Sequence, residues 1–335
     1  MMTTTFGDLA QNFVQRRAIT SLNKEMAQQG QEITTGIKAD ITSAMGGDTR
    51  SLASLERSLT GLEAYRTATT EAELAVDMVQ TALGRIESSV SEVRNALSAQ
   101  LNSGDTTGFK ATNQIAKSAF ENVVSTLNTS VSGRSLFAGT ATNQPALRQG
   151  SEILADIKAL VEGDTDPTVV SDKIDAYFND PAGGFLTNDY LGSDQSRAAF
   201  RISPNDEVSV TVRADDAEMR ETLAALAKNA VLADGAPNLP IAGQRALVDG
   251  SRAALHAADS ALIGLRGTVG VAQAKIDSAT TRNEAEKFGL EEARLAMIGA
   301  DIYEATTRFQ QIETQLQSLY AITARMSRLN LTNFL

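Results

Sequence analysis

The chain has 335 residues and a net charge of −11, with 5 % aromatic residues and neither cysteine nor tryptophan. An acidic chain repels the phosphate backbone of nucleic acids, and the absence of cysteine excludes disulfides, thiolate catalysis and cysteine-ligated metals. No stretch approaches the roughly 18 apolar residues that a membrane helix needs, so neither a nucleic acid nor a membrane is an expected partner.

Apolar residues at helical spacing over residues 8–35 predict a first helix. Its stripe consists of Leu9, Phe13, Ile19, Leu22, Met26 and Ile33. Glycines then interrupt the pattern, at Gly36 and again at Gly46 and Gly47. We therefore expect residues 1–45 to form an N-terminal coiled-coil helix that pairs with another helix.

A stronger stripe, with apolar residues in steps of three and four, predicts one very long helix over residues 51–101. A shorter return helix is expected from about residue 106 to residue 132. Residues 46–139 are therefore predicted to form the N-terminal part of a helical bundle rod.

Composition changes in the middle of the chain, because all six prolines lie between residues 140 and 240. This change predicts an inserted α+β outer domain over residues 140–243. Residues 135–139 and the alternating Val208, Val210 and Val212 are each expected to form a strand. Residues 153–161 and 169–178 are expected to form short helices. Asp215 and Glu218 have the spacing of a capping box and predict the start of another helix.

Helical periodicity returns at residue 244 and is expected to run almost without a break to the end of the chain. Residues 244–287 are predicted to complete the bundle rod, and residues 288–335 to form a C-terminal coiled-coil helix. A narrow heptad stripe of this kind needs a partner helix along its length. We call its apolar residues the predicted seam: Phe288, Leu295, Ile298, Ile302, Phe309, Ile312, Leu316, Leu319, Met326, Leu329, Phe334 and Leu335.

The predicted fold class is therefore mainly α, an elongated rod of long coiled-coil and bundle helices from both chain ends, with an inserted α+β outer domain. Its sequence predicts no enzyme. The single histidine, His256, has no acidic partner at the spacing of a metal site or a catalytic triad. No catalytic residue, metal site or cofactor is expected.

Particular residues at both ends resemble the bacterial flagellin superfamily. At the C-terminus, residues 308–317 and 329–335 are similar to the terminal helix of these proteins. Near the N-terminus, residues 22–24 and 32–36 resemble their first helix and the small-residue turn that ends it. The resemblance covers both helical ends and leaves out the insertion.

Residues 133–140 place the chain nearer to one branch of this superfamily. They resemble the GRYIFAG-like segment of the hook–filament junction proteins, with matching residues Gly133, Arg134, Leu136, Phe137 and Gly139. The Pro-Ser-Asp-Asp-Pro-like loop that usually follows the first helix is replaced here by residues 39–48.

The resemblance implies a structural adapter of the flagellum that joins hook to filament through paired terminal helices. Its implied partners are copies of itself, neighbouring hook-associated protein and flagellin subunits in a helical array, and an export chaperone for the C-terminal helix. It implies an extracellular protein that is exported by the flagellar type III route without a cleaved signal peptide. Flagellin itself and a non-flagellar secreted coiled-coil protein are the two alternatives.

Overall fold

The computed structural model describes the backbone of residues 5–103 and 108–332, and the side chains of residues 10, 13–100 and 108–325. Its α-helices are α1 (Thr5–Thr35), α2 (Ile41–Ala44), α3 (Arg50–Ser103), α4 (Phe109–Leu127), α5 (Gly150–Val161), α6 (Pro167–Asn179), α7 (Ala217–Ala233), α8 (Ile241–Ile298) and α9 (Ile302–Thr332). Its strands are β1 (Ser130–Val131), β2 (Arg134–Ser135), β3 (Phe200–Arg201) and β4 (Glu207–Val208). The predicted mainly α fold class is confirmed.

The chain divides into two compact units. The terminal unit comprises Met1–Glu63 and Glu284–Leu335, and the central unit comprises Ala64–Asn283. Both boundaries fall inside long helices, α3 and α8. The finer division into five segments stays a prediction.

In the central unit, α3 and α8 run antiparallel along the stripes predicted for them. The buried stripe of α3 consists of Ala72, Val76, Val79, Leu83, Ile86, Val90, Val93 and Leu97. The buried stripe of α8 includes Leu255, Ala258, Leu262, Ile276 and Ala279. Ion pairs join Arg94 to Asp259 and Glu87 to Arg266. From one ion pair to the next the residue number falls on α3, from Arg94 to Glu87, and rises on α8, from Asp259 to Arg266. The two helices are therefore antiparallel.

The strands beside and within the inserted segment are shorter than the sequence predicts. β1 pairs with β2, and β3 pairs with β4 so that Phe200 lies opposite Val208. Val210 and Val212 are buried, but they lie beyond the end of β4. Farther upstream of β3, the Gln195 carbonyl accepts a hydrogen bond from the Thr140 N–H. Alternating apolar residues therefore marked a buried face correctly, but only Val208 of the three valines lies in the strand.

The predicted capping box at the start of α7 is also wrong. Arg213 donates to the Asp215 carboxylate through Nε at 2.7 Å, so that Asp215 is held in an ion pair. Asp216 stands at the N-cap, and its Oδ2 accepts the Arg213 N–H at 2.7 Å. The ion pair with Arg213 shifts the helix start by one residue.

A buried carboxylate in the inserted segment gives the central unit a pH-dependent stability. Asp189 is fully buried and accepts hydrogen bonds from the Tyr177 hydroxyl at 2.5 Å and the Arg148 guanidinium at 2.9 Å. Burial raises the pKa of Asp189 despite these two donors. A raised pKa means that ionisation of the carboxyl opposes folding. The resulting stability is complete below the unfolded-state pKa of about 3.9 and is lost as the pH rises through the raised value.

Asp189→Asn should remove this pH-dependent component, because the amide cannot ionise. We expect the free energy of unfolding of the wild type, minus that of the variant, to fall as the pH rises through the pKa of Asp189. Urea unfolding at a series of pH values measures it. Asp156→Asn is the matched control, since Asp156 also pairs with Arg148 but is half exposed. A difference that does not change with pH would contradict the prediction.

Candidate assembly surface

In the terminal unit, α1 and α9 lie side by side and run antiparallel. Gly36, just after α1, accepts a hydrogen bond from the Ala300 N–H, just before α9. Farther along the pair, a Cβ built on Gly30 would lie 3.8 Å from the Phe309 ring. The face of α9 that is covered repeats in steps of four and three, as in a coiled coil. It consists of Ala305, Phe309, Ile312, Leu316, Leu319 and Thr323.

The residues predicted for the N-terminal pairing helix differ in burial. Ile19, Leu22, Met26 and Ile33 are half-buried, while Phe13 is 68 % exposed. The side chain of Leu9 lies outside the described residues. The stripe of α1 is therefore only partly covered by α9.

The predicted seam is split between a covered line and an exposed line. Ile298, Ile312 and Leu316 are buried, and Phe309 and Leu319 are half-buried. In contrast, Phe288, Leu295 and Ile302 are 70 %, 58 % and 54 % exposed. The side chains of Met326, Leu329, Phe334 and Leu335 lie outside the described residues. One part of the seam thus meets α1, and another part is free for a different partner.

Further large side chains of the terminal unit lie in solvent. Tyr303, Tyr320 and Ile322 on α9 and Val14 on α1 are all at least half exposed. Burying one such side chain contributes about 1.5–3 kcal/mol. An exposed set of this size is typical of a surface that associates with other chains.

A short antiparallel backbone pairing closes the helix pair at one end. Residues 36–38 and 298–300 form it, and we call it the terminal clasp. The Lys38 N–H donates to the Ile298 carbonyl and the Ala300 N–H to the Gly36 carbonyl, both at 2.9 Å, around an antiparallel bridge from Ile37 to Gly299. The clasp ties the end of α1 to the point where α8 ends and α9 begins.

This clasp requires a break that the sequence analysis missed. It expected helix to continue through residues 299–301, where the structure ends α8 and begins α9. Asp301 Oδ1 accepts the N–H groups of Tyr303 and Glu304 at 2.9 and 3.1 Å, as an N-cap does. The available signal was Gly299, two residues before Asp301, with Glu304 three residues after Asp301.

Residues 133–139 form a tight turn and a buried exit from the helices. Ser132 and Gly133 have φ values of 52° and 76° between β1 and β2, as in a type I′ hairpin turn. Leu136 and Phe137 are buried, and Arg134 is exposed. Gly139 has a φ of 59°, and a Cβ there would lie 2.5 Å from the carbonyl oxygens of Ser193 and Gln195. The positive φ favours glycine at position 133, and the positive φ together with these close contacts requires it at position 139.

We next asked whether the described residues form a metal site, a catalytic site or a membrane-spanning helix. His256 is an exposed side chain on α8. Within the described ranges, no three His, Asp or Glu side chains come together as metal ligands. Nor is any helix in these ranges both long enough and apolar enough to cross a bilayer. The features that stand out are apolar and lie at helix surfaces.

Ile302 and Ile312 allow the two lines of the seam to be separated. We expect Ile312→Ala to weaken the α1–α9 pair by about 2–4 kcal/mol, because Ile312 is 8 % exposed and its loss leaves a cavity. Ile302→Ala, at 54 % exposure, should change the stability of the pair by less than about 0.5 kcal/mol. Hydrogen exchange of the α9 amides measures both effects. Equal acceleration in the two variants would contradict the assignment.

Comparison with known proteins finds two family models that match the ends of the chain. The model of the bacterial flagellin N-terminal helical region matches residues 8–142, and that of the C-terminal helical region matches residues 253–335. Together they cover well over half of the chain. A comparison with curated protein sequences finds no significant match.

Solved structures share the fold at low sequence identity. A Vibrio parahaemolyticus protein described as a flagellar hook-associated protein has a TM-score of 0.52 and 16 % identity, covering 73 % of this chain and 94 % of its own. FlgL of Bacillus cereus has a TM-score of 0.53 and 12 % identity, covering 72 % of this chain and 100 % of its own. Both the helical ends and the arrangement of the helices thus have known counterparts.

Proposed function

Because this chain belongs to the bacterial flagellin family, we propose that it is a structural adapter that joins the hook of the flagellum to the filament. The observation that carries the proposal is the pair of fold matches, which extend over 94 % and 100 % of a hook-associated protein and of FlgL. The GRYIFAG-like segment at residues 133–139 supports the same branch of the family. A structural role also fits the large apolar side chains that are exposed on α8 and α9.

Assembly would proceed through the terminal unit. Flagellin-family proteins assemble into helical arrays with other flagellar components, and such arrays arise from head-to-tail contacts that do not close. We assign the covered line of the seam to pairing with α1, and the exposed line, with Phe288, Leu295 and Ile302, to contacts between subunits. Copies of this chain, a neighbouring hook-associated protein and flagellin are the proposed partners. Residues 1–45 and 288–335 are the segments we assign to this role.

The flagellum is extracellular, so the chain must be exported before it assembles. We propose that it leaves by the flagellar type III route without a cleaved signal peptide. An export chaperone would cover the apolar surface of α9, where Ile302 and Tyr320 are more than half exposed. Covering this surface before assembly would prevent premature association.

Deletion of the gene tests the adapter role. We expect cells that keep their hooks but shed flagellin into the medium, because the filament has no junction on which to grow. Immunoblots of the medium and electron micrographs of the cells measure this, and a plasmid copy of the gene is the control. Normal attached filaments in the deletion strain would contradict the proposal.

Flagellin itself is the second candidate, because the matching family models describe the terminal regions of flagellin. Copy number separates the two functions. A filament subunit is the dominant protein of sheared flagella, whereas a junction protein is a minor one. Quantitative mass spectrometry of sheared flagella is the measurement, and we expect the minor amount.

A further inference from the structure

A surface cavity of about 210 Å³ opens in the central unit beside the β1–β2 hairpin. Glu71 and Leu74 of α3 line one side, Arg134 and Leu136 another, and Arg197 and Phe200 a third. Leu136 is buried, Phe200 is half-buried, and Leu74 is 51 % exposed at the rim. The cavity therefore combines an apolar wall with charged groups.

Within the described residues, the two guanidinium groups of this cavity form no salt bridge, although the Glu71 carboxylate lines the same cavity. In the described part of the chain, neither Arg134 nor Arg197 forms an ion pair, and Glu71 pairs with neither of them. The Arg197 guanidinium lies 6.0 Å from the centre of the Phe200 ring. Burial, and then the positive charge of Arg134, lower the pKa of Arg197. An anion between the two arginines would relieve both effects.

Other partly buried arginines of the central unit have carboxylate partners or, in the case of Arg220, backbone carbonyl partners. Arg94 pairs with Asp259, Arg213 with Asp215, and Arg266 with Glu87. A partly desolvated cation without a partner is costly, and the fold avoids this cost at those three positions. Arg197 is partly buried and, among the described residues, has neither a carboxylate nor a carbonyl partner.

The composition of the chain indicates what a partner from outside the chain would be. Each copy carries a net charge of −11, so subunits of this chemistry bring a surplus of carboxylates to every contact. A free inorganic anion would use the guanidinium groups and leave the apolar wall formed by Leu136 and Phe200 uncovered. A helix, about 10–12 Å across with its side chains, is too wide for the cavity. An extended segment fits both the size and the chemistry.

We propose that this cavity docks an extended acidic segment of a neighbouring protein subunit. One carboxylate of the segment lies between Arg134 and Arg197, and an adjacent apolar side chain packs against Leu136 and Phe200. Bidentate pairing with guanidinium would fix the position of the segment as well as contribute affinity. The inference rests on the proposed function, because it needs neighbours in an assembled array.

Photo-crosslinking from Leu74 tests this proposal in assembled flagella. The full chain, with benzoylphenylalanine in place of Leu74, is expressed in the deletion strain, and sheared flagella are irradiated. We expect an adduct to a peptide of a flagellar subunit that contains Asp or Glu. Arg134→Glu combined with Arg197→Gln should lower the yield about tenfold or more, since the segment loses both cations.

Arg85→Glu is the matched control. It makes the same charge change as Arg134→Glu on an exposed residue of α3 that does not line the cavity, and it should leave the yield unchanged. Thermal unfolding of the purified full-length variants checks that each one folds. Replacing the crosslinked acidic residue by Lys should restore adduct formation with Arg134→Glu.

An adduct to a peptide without Asp or Glu, no adduct, or a yield that the arginine substitutions do not change would overturn the docking proposal. Each of these results leaves the adapter role standing, provided that the chain is present in the sheared flagella. Absence of the chain from the flagella would instead overturn the adapter role and the docking proposal that rests on it.

Discussion

Removal of residues 309–335 is expected to abolish incorporation of the chain into flagella while the central unit stays folded. The truncation deletes most of the line that α9 presents to α1, including Ile312 and Leu316. Each of these buried side chains contributes about 1.5–3 kcal/mol to the pair, so α1 would be left without a stable partner. The core formed by α3 and α8 in the central unit makes no use of the deleted residues.

Two measurements on the truncated chain check this. Motility of the deletion strain carrying the truncation reports assembly, and limited proteolysis of the purified chain reports whether residues 64–283 remain protected. Arg85→Glu, a surface change in the central unit, should complement motility and is the control. A motile strain carrying the truncation would show that the paired ends are dispensable.

Gly139→Ala should destabilise the central unit by about 3 kcal/mol or more. Gly139 has a φ of 59°, and an added Cβ would lie 2.5 Å from two backbone carbonyl oxygens, those of Ser193 and Gln195. A clash with backbone atoms cannot be relieved by a change of rotamer, as a clash with the end of a flexible side chain can. The substitution must therefore separate the buried exit at residues 136–138 from the segment that holds it.

Gly163→Ala separates the clash from the backbone conformation. Gly163 has a φ of 87° but open space around its Cβ position, so alanine there should cost only about 1–2 kcal/mol. Urea unfolding of both variants and the wild type gives the comparison. Equal losses in the two variants would mean that the contacts of Gly139 with Ser193 and Gln195 do not constrain the chain.

Much of the helical architecture could be predicted because a buried helix face requires apolar residues at steps of three and four along the sequence. The stripe of α3 from Ala72 to Leu97 is buried at every predicted apolar step, and the stripe of α8 is buried at most of its steps, with Leu265 and Ala272 half-buried. Strands of two residues are too short to give a recognisable alternation of apolar and polar residues. Val210 and Val212 alternate and are buried, yet they lie outside the β3–β4 ladder.

The assembly surface shows where periodicity stops being informative. Phe288, Leu295 and Ile302 lie in the same heptad stripe as Ile312 and Leu316, but only the latter two are covered by the chain itself. Spacing gives the face of a helix and not the partner that covers it. The terminal clasp was missed for a related reason, since its hydrogen bonds join Lys38 to Ile298, residues that are distant in sequence.

The unpaired arginines of the cavity were beyond sequence reasoning altogether. Arg134 was noted as part of a family-like segment, and Arg197 carried no signal. Whether an arginine has a carboxylate partner is decided by the fold, which pairs Arg94 with Asp259 across 165 positions and leaves Arg197 over Phe200. Only the three-dimensional arrangement separates these two cases.

Immunogold labelling of intact flagella tests the central claim most directly. An antibody against the inserted segment, residues 140–243, is used on wild-type cells, with the deletion strain as the negative control. The adapter role predicts label confined to the boundary between hook and filament. Label along the whole filament would identify a flagellin instead, and label away from the flagellum would contradict the flagellar role.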